Sequence, residues 1–105
     1  MSRPPHTQAP PEISLHPAGG GWHCSHLYYT WDRPALAAMS ADQITSGRDA
    51  VIQTLDPAGS DAPLRLQTSV VSGHKADFSL MLMDPDPLKI DAVHQRLMAS
   101  PLGVA

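Results

Sequence analysis

The stretch "SGHKADFSLMLMDPDP", Ser72–Pro87, decides the fold. From Ala76 onward its side chains alternate, with Ala76, Phe78, Leu80 and Leu82 on one face and Asp77, Ser79, Met81 and Met83 on the other. From Leu80 both faces are largely apolar, the pattern of a strand with neighbours on either side, so a central strand is expected over 76–83. Opposite charges stand at its mouth. His74-Lys75 is expected to make a hairpin turn, with Asp77 accepting from turn N–H groups and Lys75 balancing its charge. The pairs Asp84-Pro85 and Asp86-Pro87 force a switch from strand to helix. Asp84 is expected to cap the helix, with both prolines in the first turn, where a missing N–H matters least.

Working outward, that last helix is predicted over 86–99. Leu88, Val93, Leu97 and Met98, with Ile90 beside them, form its buried stripe, and Pro101 and Gly103 end it. Upstream, "LRLQTSVVSG" (Leu64–Gly73) alternates at its start and predicts a strand over 63–72. Before it, Ser40 with Gln43 three residues later is a capping-box pattern. Ile44, Arg48 (by its stem), Val51, Ile52 and Leu55 follow at 3–4 spacing, an amphipathic helix over 41–55. Gly47 inside it costs about 1 kcal/mol relative to alanine, so this helix must be held by packing. Pro34, preceded by Asp32 and Arg33, suits a first helical turn. "GWHCSHLYYTWD" (Gly21–Asp32) is aromatic, lacks a helical period and predicts the first strand, over 22–32. Trp22, Cys24, His26, Tyr28 and Thr30 share one of its faces; His23, Ser25, Leu27, Tyr29 and Trp31 share the other.

The order is therefore β-α-β-β-α, an α+β unit with an antiparallel sheet and both helices on one face. The ferredoxin-like unit is β-α-β-β-α-β, so the final strand is missing unless Leu102–Ala105 begin one. A sheet short of that strand leaves an edge unpaired, which predicts a pairing partner or an incomplete piece. Residues 21–105 form one domain at most. Residues 1–20, with five prolines and a glycine run, read as a flexible leader.

With 42% hydrophobic and 16% charged residues the chain is globular, and a net charge of −3 gives no electrostatic footprint for nucleic acid or an anionic membrane. No apolar run approaches the roughly 18 residues of a membrane helix, and the N-terminus has no signal-like apolar region. Cys24 is the one cysteine, so no internal disulfide forms; a cytoplasmic location is expected.

Three stretches carry a resemblance: Gly21-Trp22 opening the domain, the strand entry Gly73-His74-Lys75-Ala76-Asp77 with its Met/Leu-rich continuation, and the turn Ser100-Pro101-Leu102 after the last helix. Over 21–103 the chain resembles the N-terminal half of the chlorite dismutase-like family, more closely its peroxide-dependent coproheme decarboxylase branch. That resemblance implies the dimeric α+β barrel type of ferredoxin-like fold. It implies haem biosynthesis as the setting, with oxidative decarboxylation of coproheme to haem b by hydrogen peroxide. Family members are about twice this length, and their second half carries the haem pocket, including its proximal histidine and reactive tyrosine. No residue here matches those positions, and the last tyrosine is Tyr29. So the resemblance implies a scaffold half: no catalytic, cofactor-binding or metal residue is assigned, and neither activity nor tight haem binding is expected of this chain alone. Its expected partner is a haem-binding C-terminal half, or a second copy paired through the open sheet edge in a homo-oligomer.

Other residues invite functional readings. His23, Cys24 and His26 are metal-ligand types, yet on a strand only Cys24 and His26 share a face, and zinc needs more than two ligands. His94 lies beside the apolar stripe of the last helix and is expected to be a boundary residue rather than an iron ligand. Met81 and Met83 read as core filler. Lys75 and His74 have a turn role, and Ser60-Asp61 lacks a nucleophile-elbow context. Two further functions remain open: a non-catalytic ferredoxin-like interaction and dimerisation module, and a small oxygenase-like barrel. The latter would need a polar cluster between sheet and helices, for which the sequence offers His23, His26 and Tyr29.

Overall fold

The computed structural model describes residues 21–105, and the expected leader at 1–20 lies outside them. Three strands, β1 (His23–Tyr29), β2 (Arg65–Val70) and β3 (Phe78–Asp84), alternate with helices α1 (Arg33–Ala37), α2 (Ala41–Thr54) and α3 (Pro87–Ala99). A 3₁₀ turn, Pro101–Val104, follows α3. It occupies the residues in which a further strand could have begun.

The sheet order is β1-β3-β2, with β3 antiparallel to both neighbours. The apolar run that opened the sequence reading is thus the middle strand. β1 and β2 are consequently parallel to one another, with β3 inserted between them, a split crossover through α2. The register sets Leu27 opposite Leu80, Thr68 opposite Leu80, and Leu66 opposite Leu82. On that face Leu66, Leu80 and Leu82 meet Ile90, Val93 and Leu97 of α3, with Val51 and Leu55 of α2 packed against the cluster. Leu80, Leu82 and Val93 are the most deeply buried.

Several expected details shift. The N-cap of α3 is Asp86, which accepts from the Leu88 N–H at 2.9 Å. Asp84 is instead the last residue of β3, buried at 5% exposure, and accepts from Leu64 N–H (3.0 Å) and Asp86 N–H (2.8 Å). Its carboxylate ties the entry of β2 to the exit of β3, so one Asp-Pro pair closes the sheet and the other starts the helix. On α3, Ile90, Val93 and Leu97 are buried while Leu88 and Met98 are exposed, since the sheet beneath is only three strands wide. On α2, Ser40 and Gln43 do form a capping box. The only buried residue of α2 is Gly47, whereas Ile44 and Ile52 are exposed. The reason is a close approach: a Cβ on Gly47 would stand 2.5 Å from Leu102 Cγ and 2.9 Å from Leu102 N. The glycine that weakens the helix lets the 3₁₀ turn lie directly on its backbone.

Asp77 accepts from the Trp31 N–H at 2.8 Å and pairs with Arg33 at 3.3 Å, not with Lys75, which is exposed in the turn. The turn itself runs through Gly73 at φ 134°, a backbone conformation that favours glycine, and is closed by Val71 N–H to Asp77 C=O at 3.0 Å. Asp77 N–H in turn reaches Tyr29 C=O at 2.8 Å. Asp77 therefore pins the exit of β1 and the start of α1 to the mouth of β3.

Candidate functional site

The exit of β1 brings three rings together, because Tyr29 and Trp31 leave the strand on the helix-covered face and Phe78 enters β3 opposite Tyr29. Tyr29 and Phe78 stack with centroids 4.9 Å apart; Trp31 tilts against Phe78 at 5.6 Å. These rings, with Val51, Leu97, Met98, Leu102 and other residues, line a cleft of about 130 Å³. Its walls are almost wholly apolar, so it can hold a small apolar group but offers little to orient one.

The phenol of Tyr29 points to α3. Its oxygen lies 2.8 Å from His94 Nδ1, a part-buried pair bridging strand and helix. Burial raises the Tyr29 pKa above its ordinary value of 10.0, which keeps the phenol protonated at neutral pH. With the phenol as donor, Nδ1 is the acceptor and the ring proton sits on Nε2. His94 is thus a half-buried boundary residue that is also tethered to β1. On its other side it lines a second cleft, about 220 Å³, with His23, Ser25, Leu27, Ile90 and Asp91. This cleft lies between α3 and the outer side of β1. Of the polar residues an oxygenase-like reading would draw on, His23 lines this cleft with His94, Tyr29 meets His94 from the neighbouring cleft, and His26 lies on the other face of the sheet. Sequence alone missed the Tyr29–His94 pair, because a contact between a first strand and a last helix leaves no local spacing to read.

The remaining candidates separate as follows. Cys24 and His26 project from the opposite face of the sheet, which no described helix covers, with Cys24 Sγ 3.7 Å from His26 Nε2, while His23 faces α3. Met81 and Met83 are half-buried on that same uncovered face, opposite His26 and Cys24, so they do not fill the core. Ser60 and Asp61 lie in an exposed turn, and His74 and Lys75 in another. Among the described residues no three His, Cys, Asp or Glu side chains converge on a metal position. None of the described helices is long and apolar enough to cross a membrane.

Haem does not fit the residues around His94. The cleft beside it measures about 220 Å³, below the roughly 300–1,000 Å³ of pockets that bury drug-sized ligands, and a macrocycle is larger than most of those. The nitrogen facing Tyr29 is already engaged.

Comparison with protein-family models, with curated proteins and with solved structures finds no match to this chain.

Proposed function

We propose that this chain is an assembly scaffold: the N-terminal, ferredoxin-like half of a haem-binding protein of chlorite dismutase type, by resemblance a peroxide-dependent coproheme decarboxylase. The observation that carries the reading is the sheet order β1-β3-β2, in which β1 is outermost among the described residues and pairs there with β3 alone. Along the outer side of β1, alternate residues between Cys24 and Tyr29 turn their backbone N–H and C=O groups away from β3. A second strand, from a haem-binding half or from another copy, satisfies them by β-augmentation. That haem does not fit beside His94 supports assigning the redox chemistry of such an enzyme to its other half. The chain's own work is then to present an edge and a rigid sheet.

The second reading is a non-catalytic module in which two copies pair edge to edge. It is favoured by the same edge and needs no haem half.

The test combines hydrogen exchange and a haem titration. Deuterium uptake by 23–29 is measured across a concentration series, and the oligomeric state is followed by sedimentation. Both readings expect β1 amides to become protected as a complex forms. Purified chain titrated with coproheme should give no saturable Soret shift, whereas addition of a haem-binding half of the family should yield a complex that gives one. Protection and dimerisation without affinity for any haem half select the second reading. A monomer whose β1 amides exchange freely at every concentration and with every half, or a one-to-one Soret shift by the chain alone, overturns the proposal.

A further inference from the structure

The face of the sheet that no described helix covers holds a thiol, an imidazole and two thioethers in a two-by-two array. The β1–β3 register sets Cys24 directly opposite Met83 and His26 directly opposite Met81. Residues two apart on a strand share a face, so all four side chains rise from the same side. Directly opposed Cβ atoms lie about 4.5–5.5 Å apart, and the diagonal neighbours are still within reach of long side chains such as methionine. The Cys24 Sγ to His26 Nε2 separation is 3.7 Å. Bonds of the length a first-row d¹⁰ ion makes, about 2.3 Å to sulfur and 2.0 Å to imidazole, span that separation at an angle of about 120°. Cys24 and His26 thus already stand as two corners of a trigonal or tetrahedral site.

We propose that Cys24, His26, Met81 and Met83 form a binding site for Cu(I) on the open face of the sheet. Thiolate and thioether ligands select Cu(I), whereas zinc takes thiolate, imidazole and carboxylate. The site has no carboxylate and two thioethers. Charge points the same way. Arg65 lies beyond Met83, which it faces across β2–β3. One thiolate and one monovalent cation sum to neutrality, whereas a divalent ion would leave a net positive charge near that guanidinium. Binding releases the Cys24 thiol proton to solvent and changes no oxidation state. The two strands are paired over seven residues, so the ligands are held on elements rather than on loops, and Met81 and Met83 bring flexible, unbranched side chains to the site. The inference rests on the β1–β3 register and not on the proposed function, which rests on the edge of β1.

The experiment is an anaerobic competition, with ascorbate as reductant, in which the full chain withdraws Cu(I) from a coloured bicinchoninate complex. One ion per chain is expected, with sulfur-dominated X-ray absorption. Cys24→Ser should abolish withdrawal, and the Met81→Leu/Met83→Leu double variant should weaken it by at least about tenfold, the lower range for losing even an outer partner of a metal site. All the substituted side chains are exposed or half-buried, and leucine conserves the methionine volume, so the apo variants should keep the wild-type circular dichroism. An excess of Zn(II) should not displace the ion. The proposal is overturned by affinity unchanged in the double methionine variant, by binding that survives Cys24→Ser, by one ion per two chains, or by tighter binding of Zn(II).

Discussion

At the scale of single residues, the carboxylate that opened the sequence reading is a backbone device more than an ion pair. Asp77 receives the Trp31 N–H at 2.8 Å, while its partner Arg33 has a side chain 77% exposed. A surface pair contributes little, whereas a carboxylate holding a part-buried N–H contributes more. Asp77→Ala should therefore destabilise by about 1–2 kcal/mol and Arg33→Ala by less than about 0.5, as read from urea denaturation midpoints. Equal losses would assign the work to the ion pair. The charge pattern was legible in the sequence, but its partner was not: Lys75 is near in the chain and Arg33 near in space. Tyr29 gives a pH signature. Its folded pKa is raised, so the phenol proton is held more tightly in the folded state than in the unfolded chain. The corresponding stability is full below pH 10.0 and is lost as pH rises through the folded value. Tyr29→Phe should flatten the fall in stability above pH 10. In a Tyr28→Phe background, which leaves one tyrosine, the midpoint of phenolate absorbance should lie above pH 10.0.

At the scale of elements, α2 shows where periodicity misleads. Its apolar positions were legible and its length nearly so, yet Ile44 and Ile52 are exposed and Gly47 is buried. Hydropathy patterns report which side chains prefer burial, not which backbone a neighbour approaches. Gly47→Ala in an isolated helix would add about 1 kcal/mol of stability. Here the new Cβ meets Leu102 at 2.5 Å, and overpacking of this kind costs about 1–3 kcal/mol. The substitution should be net destabilising by thermal melting. Adding Leu102→Ala removes the Cγ contact but not the backbone N at 2.9 Å. The double variant should therefore be less destabilised than the sum of the singles, by at least about 0.5 kcal/mol. Strict additivity would mean that α2 simply moves away from the turn. The two Asp-Pro pairs carry a similar lesson. That a strand ends and a helix begins there was legible, but which aspartate serves which element was decided by Leu64, twenty residues upstream.

At the scale of the molecule, the α+β order and the centrality of β3 were legible because they follow from alternation and from apolarity on both faces. What was not legible was the one-sidedness of the sheet. Met81 and Met83 are apolar on a face that no described element covers, so the sequence read them as core. The core lies on one side, around Leu80, Leu82 and Val93. Leu82→Ala should accordingly cost about 3–4 kcal/mol, while Phe78→Ala, half-buried at the rim, should cost roughly 2 despite its larger side chain. A reversed ranking in denaturant would move the core toward the aromatic cleft. The insertion of β3 between β1 and β2 also fixes an order of events in time. β2 and β3 are joined by the short turn Val71–Asp77, whereas β1 reaches β3 only after the whole connection from Thr30 to Asp77 is closed. Closing the longer loop carries about 1.5–2 kcal/mol more entropy loss. The hairpin with α3 docked on it should therefore dominate the folding transition state, and β1 should arrive late. In stopped-flow kinetics Leu66→Ala should slow folding, with φ above about 0.5, while Leu27→Ala should chiefly speed unfolding, with φ below about 0.3. Late arrival leaves β1 unattached while the chain is still condensing, so this strand is the one exposed to exchange between neighbouring copies when many chains fold together.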